Sequence, residues 1–285
     1  IKNRDQTDSH MLFDSVRGAT NYLKTDSTDG HTTDTETLST FDASGFTVGN
    51  NVAVNTNNED YVAWQWAKGA TQGVDVVTYA GTGSARTESH SLGAVPHMMI
   101  VKKYSASGQN FIVYHKDANA TPESGHIELN QTSAFASSSV WNSTAPTSSV
   151  FSLGTTWVNE SSANFVAMLF TSVPGFSKAF SMEGNGNVDG SYVHLGFRPG
   201  LVILKSVDST SSWYMYDDQR AGYNVDNNAL LADGTGAELT ADNIDLLSNG
   251  FKLRIATDPN VAETYIGMAW ASGTNIPGTS QVRAR

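Results

Sequence analysis

Apolar positions along this chain recur with a period of two, in runs of strand length broken by turn residues. In "NFVAMLF" (164–170) one face carries Phe165, Ala167 and Leu169 and the other Val166, Met168 and Phe170, so both faces are apolar. That pattern predicts a central strand covered on two sides. "VVTYAG", "MMIVKKY", "NFIVYHK", "HIELN" and "SVFSLG" are further β-branched and aromatic runs. Clusters such as "SASGQ", "VDSTSS" and "NGNVDG" separate them as turns. Helical periodicity over twelve or more residues is missing; "LTADNIDLLS" has room for one or two helical turns. The pattern predicts an all-β chain of sandwich or jelly-roll type.

The pattern also repeats. "FDASGFTVGNNVAVNTNNEDYVAWQWA", "TAPTSSVFSLGTTWVNESSANFVAMLFT" and "IDLLSNGFKLRIATDPNVAETYIGMAWA" align, so that Phe46, Phe151 and Phe251 correspond, as do Tyr61, Phe165 and Tyr265, and Trp66, Phe170 and Trp270. Upstream, Gly81 and Gly83 match Gly184 and Gly186, and Pro96 matches Pro199. Lys2, Lys102 and Lys205 share one position. The expected organisation is three tandem units, residues 1–72, 73–174 and 175–272, with a tail over 273–285. The first unit lacks its first strands, as though the chain were a fragment or a processed form. A sandwich short of two strands exposes an edge; the tail "GTNIPGTSQVRAR", another unit or a neighbouring subunit is expected to cover it.

Hydrophobic residues make up 39% and charged ones 16%, with Ser, Thr, Asn and Gly filling the difference, which suits many short strands and polar turns. Cysteine is absent, which removes zinc fingers, iron–sulfur sites, disulfides and cysteine catalysis. The net charge of −11 and the lack of a basic stripe argue against nucleic-acid binding. No apolar run has bilayer-spanning length, so membrane insertion is not expected. The seven histidines form no HExxH or His-x-His pattern, and no nucleophile elbow or P-loop occurs. No cofactor is implied, and an enzyme is not expected.

Four groups of residues remain as candidates. Asp14 with Arg17, and Asp217 with Arg220 at the matching place, could grip a polar ligand or close a turn by an ion pair. Trp141 and Trp157 lie in Ser/Thr/Asn-rich stretches, which suits a sugar platform or a strand-edge cap. Trp66, Phe170 and Trp270 recur at one position, which argues for packing. Asp26, Asp29 and Asp34 form an oxygen-rich stretch that could hold calcium or be a solvated loop; the spacing is not that of an EF-hand.

"LGFRPGLVILKSVDSTSSWYMYDDQR", "IDLLSNGFKLR", "WNSTAPTSSVFSLG" and "YVAWQWAKGA" resemble a repeated β module of uncharacterised function, found in tail-fibre-type and other structural proteins of marine tailed bacteriophages. The resemblance implies a virion location, in a tail fibre, tail tip or receptor-binding adhesin, with other virion proteins as partners and no assigned catalytic residue. It fits adhesion to a host cell-surface glycan by a homo-oligomer, a trimer as in many fibres. Two alternatives stay open: an architectural virion protein such as a capsid decoration or fibre shaft, and a polysaccharide depolymerase.

Overall fold

The computed structural model describes residues 1–220, 224 and 226–273. Residues 1–72 contribute β1 (Lys2–Asn3), β2 (Met11–Phe13), β3 (Asn21–Lys24), β4 (Thr32–Thr33), β5 (Leu38–Asp42), β6 (Gly45–Val48), helix α1 (Val52–Asn55) and β7 (Tyr61–Val62). Next come β8 (Val74–Ala80), β9 (Arg86–Ser89), β10 (Met98–Lys103), β11 (Ile112–His115), β12 (Gly125–Glu128), β13 (Ala136–Ser137), β14 (Val150–Leu153) and β15 (Asn164–Phe170). The last group is β16 (Ser177–Glu183), β17 (Tyr192–His194), β18 (Pro199–Ser206), β19 (Tyr214–Asp217), β20 (Asp226–Leu231), β21 (Leu239–Leu247), β22 (Gly250–Leu253) and β23 (Thr264–Ala271). The chain is all-β with antiparallel sheets, as its period-two pattern predicts. No helix among the described residues is long and apolar enough to cross a membrane. The stretch with room for a helix is instead β21. Its Ile244 and Leu246 are buried in the core, and β22 pairs with it from Ile244↔Leu253 to Leu247↔Gly250.

In one sheet the order is β13-β12-β11-β10-β15-β8, with β14-β9 as a second layer. In the C-terminal sheet it is β16-β23-β18-β19-β20-β21-β22-β17. Here β21 is long enough to pair with β20 at one end and β22 at the other, so the two layers form one sheet that folds back on itself. Near the N-terminus the pairs are β1-β7, β2-β3-β4 and β5-β6.

The two faces of β15 go to different cores, as the alternation of 164–170 requires. Phe165, Ala167 and Leu169 pack with Phe151, Leu153 and Trp141 inside the sandwich. Val166, Met168 and Phe170 join a larger core that also holds Leu23 and Val62 from the N-terminal part and Met268 and Trp270 from the C-terminal part. At its centre Trp66, Phe170 and Trp270 meet, with centroids 5.3, 5.6 and 6.2 Å apart. Phe170 ends β15 and Trp270 lies in β23, while Trp66 sits in the stretch after β7. Each aromatic pair contributes about 0.5–1.5 kcal/mol beyond the area it buries.

Backbone hydrogen bonds tie the parts in sequence and then back to the start. The His31 N–H donates to the Tyr104 carbonyl at 2.8 Å, Phe135 to Val207 at 2.9 Å and Glu238 to Arg4 at 2.8 Å. Thr25 Oγ1 adds a bond to the Ala232 carbonyl at 2.7 Å across the closing seam. The matched lysines lie inside: Lys2, Lys102 and Lys205 are each 0% exposed. Their ammonium groups end on backbone carbonyls, Lys205 Nζ on Ser206 at 2.9 Å and Thr132 at 3.1 Å. Burial lowers Lys102 and Lys205 to about 8. Among the described residues β7 pairs with β1 alone. Residues 274–285, one of the expected covers of that edge, lie outside the described residues.

Candidate functional site

The Asp-x-x-Arg sequences fold into closed turns. Asp14 Oδ1 accepts the N–H groups of Val16 and Arg17, and its Oδ2 takes Arg17 Nε at 2.5 Å. Asp217 does the same with Gln219 and Arg220, its ion pair measuring 2.7 Å. Asp217 Oδ2 also accepts Trp64 Nε1 at 3.1 Å, and Arg220 reaches Glu238 at 2.8 Å. Arg17 and Arg220 are 2% exposed in their side chains. Of the two readings open in the sequence, the structure shows the ion pair that closes a turn; these groups face partners in the fold. His115 holds the matching place after β11. Its Nε2–H donates to the Gly267 carbonyl at 3.0 Å and its Nδ1 accepts the Asp117 N–H at 3.2 Å. Burial pushes it down to about 4, against the pull of the Gly267 carbonyl.

The two loop tryptophans part company. Trp141 is 1% exposed and packs edge-on to Tyr114 at 6.0 Å, so it belongs to the sandwich core and offers no platform. Trp157 is 42% exposed. Its backbone sits at φ 44°, a left-handed conformation that is uncommon for a bulky side chain. The loop under it is held by Asn159, whose Nδ2 donates to the Gly154 and Ser84 carbonyls at 2.8 and 2.7 Å while Oδ1 accepts the Thr82 N–H at 3.0 Å. The indole meets the His126 ring edge-on at 5.0 Å. His126 is fixed in turn by Ser138 Oγ at 2.9 Å. Beside it Glu128 accepts Asn110 Nδ2 at 2.6 Å, and His126 and Asn110 hold its carboxyl below the usual value.

The carboxylates considered for calcium do not gather. Asp26 accepts Ser9 Oγ at 3.0 Å, Asp29 lies 4.0 Å from Lys24, and Asp34 accepts the Glu36 N–H and Asn51 Nδ2 at 2.8 Å. Among the described residues no group of three or more histidine, aspartate or glutamate side chains is placed to hold a metal ion.

Two features escaped the sequence reading. Asn55, Asn159 and Asn260 each donate Nδ2 to a carbonyl five or six residues back, on Gly49, Gly154 and Ile255. An asparagine in an Asn-rich loop does not stand out in the sequence. The other is a groove of about 530 Å³ lined by Lys116, Lys178, Tyr192 and His194 among others. It joins strand edges that only the folded sheet brings together.

No curated protein and no solved structure matches the chain. Residues 1–273 match a domain of unknown function, DUF7483, which spans all the strands described above. The chain therefore belongs to the DUF7483 family, whose function is unknown.

Proposed function

We propose that this chain is a non-enzymatic component of a phage virion appendage, a tail fibre or tail tip, that adheres to host cell-surface glycans and is built from three copies of one β unit. The virion assignment rests on the resemblance of its sequence to the β module of tailed-phage structural proteins. The recurrent strand orders and seam bonds support the copies. The observation that carries adhesion is Trp157. The residue is 42% exposed, on a loop fixed by Asn159 and backed by His126. A rigid half-exposed ring next to polar groups suits stacking on the C–H face of a sugar, with hydroxyls bonded alongside. One such platform binds weakly. Several chains in a homo-oligomer, a trimer in this reading, would add their contacts through effective concentration.

The test is a glycan array read with the oligomeric protein and with Trp157→Ala. Binding that drops about tenfold or more in the variant is the expected result. No binding by the parent protein at millimolar glycan overturns adhesion. A second reading is architectural, and the closed seams and the aromatic centre favour it: a stiff body needs no ligand. Immunogold on virions separates the two, since label on the head alone supports a capsid decoration.

A further inference from the structure

The groove between β16 and β17 lacks an arginine bridge that its counterpart has. These strands are the two ends of the eight-stranded C-terminal sheet, and the fold brings them face to face. In the preceding sandwich the corresponding edges are β8 and β9. Arg86 on β9 bridges them, giving Nη2 to the Ala80 carbonyl at 2.8 Å while its guanidinium lies 5.3 Å over Tyr79. The residue 103 positions on is Asp189, which is exposed and turned outward to Lys252 at 2.7 Å. Among the described residues the C-terminal groove is tied at its two ends. Lys178 Nζ donates to the His194 carbonyl at 2.7 Å, and Ser191 Oγ to the Glu183 carbonyl at 2.5 Å. Between these ties the floor is β16, whose Ala179, Phe180 and Met182 are buried and whose Ser181 is exposed, and one wall is Tyr192, 45% exposed.

We infer that this groove binds an uncharged, hydroxyl-rich saccharide, which rests on the adhesion reading and names its ligand class and a second site. Its volume of about 530 Å³ lies within the range of small-molecule sites. The Tyr192 hydroxyl donates to Asn249 Oδ1 at 2.9 Å and lies 3.3 Å from His194 Nδ1, so the ring is fixed before a ligand arrives. A fixed ring loses little freedom on stacking. Around it Lys116 and Lys178 keep N–H groups beyond those in their own bonds, while Ser191 Oγ, Asp117 and Glu183 can accept. The cations are balanced. Lys116 is paired with Asp117 at 2.6 Å, Lys178 Nζ goes to the His194 carbonyl, and with Glu183 the lining lysines and carboxylates number two each. A ligand that carries both donors and acceptors and no net charge matches that array. A uronate or sulfated glycan would meet the two carboxylates.

The test titrates neutral and uronate-containing oligosaccharides into the full chain and into Tyr192→Ala, Tyr192→Phe and Trp157→Ala, by calorimetry, with thermal melts as the folding control. The expected result is binding of neutral oligosaccharides that falls about tenfold in Tyr192→Ala, falls less in Tyr192→Phe, which keeps the ring but loses its hydroxyl anchor, and is reduced but not abolished in Trp157→Ala. Neutral-glycan binding that Trp157→Ala abolishes and Tyr192→Ala leaves intact overturns the groove and keeps the adhesion reading. A preference for the uronate series overturns the ligand class. No binding of either series by the unmodified chain overturns both readings.

Discussion

The turns at Asp14 and Asp217 share one geometry and end in different surroundings. In both, the carboxylate takes the arginine Nε three residues on, and Nη2 of that arginine reaches the carbonyl two residues before the aspartate. At the second turn Arg220 gives Nη1 to Glu238, which Arg4 also grips at 2.9 Å. At the first turn His31 stands in the place of Glu238 and Tyr104 in that of Arg4, as the matching backbone bonds show. There Arg17 Nη1 and His31 Nδ1 are both buried without a hydrogen-bond partner. Four neighbouring residues suffice for the turn. Completing the ion-pair network takes a carboxylate and an arginine that are 234 residues apart.

The strongest break in this comparison is Asp217→Asn, which leaves a buried guanidinium and weakens the hold on Trp64. We expect a loss of about 3–5 kcal/mol by chemical denaturation, and a smaller one for Asp14→Asn, whose network is shorter. Glu238→Gln makes the second turn resemble the first. Its expected cost is about 2 kcal/mol, from weakened charge-assisted bonds to Arg4 and Arg220, measured the same way.

His115, at the end of β11, makes stability depend on pH with a definite sign. Its folded value of about 4 lies below the ordinary 6.5, so the unfolded chain binds the proton first. The stabilisation is therefore full above pH 6.5 and lost as pH falls toward 4. Between pH 6.5 and 5 the loss is about 2 kcal/mol. His10, also buried and well depressed by desolvation, adds a loss of the same sign. Urea midpoints across this range should slope less in a His115→Asn variant. The smallest effect is a gain. His31→Glu offers Arg17 Nη1 the carboxylate that Arg220 has, and we expect about 1 kcal/mol of added stability, read from the melting temperature.

Much of the fold is legible along the chain. The two-faced strand at 164–170 feeds two cores through the residues its alternation assigns to each. Phe46, Phe151 and Phe251 fall at the second residue of β6, β14 and β22. Trp66, Phe170 and Trp270 pack together, as their shared position suggests. The candidate site was less legible. Trp141 and Trp157 sit in similar polar stretches, yet one lies against Tyr114 and the other against His126 and solvent. Local composition is nearly the same for the two and holds no record of which distant strand arrives. The segment 239–247 reads weakly as helix because its alternation is partial; pairing with β20 and β22 decides it.

Strand positions, turn closure by Asp-x-x-Arg and the burial of alternate residues follow from short-range chemistry, because side-chain period and turn hydrogen bonds involve residues a few positions apart. The seam bonds, the burial of three lysine stems, the partner of each arginine and the groove between β16 and β17 are properties of the assembled sheets. They depend on which edges meet after folding, over separations of tens to hundreds of residues, and no local pattern carries that information.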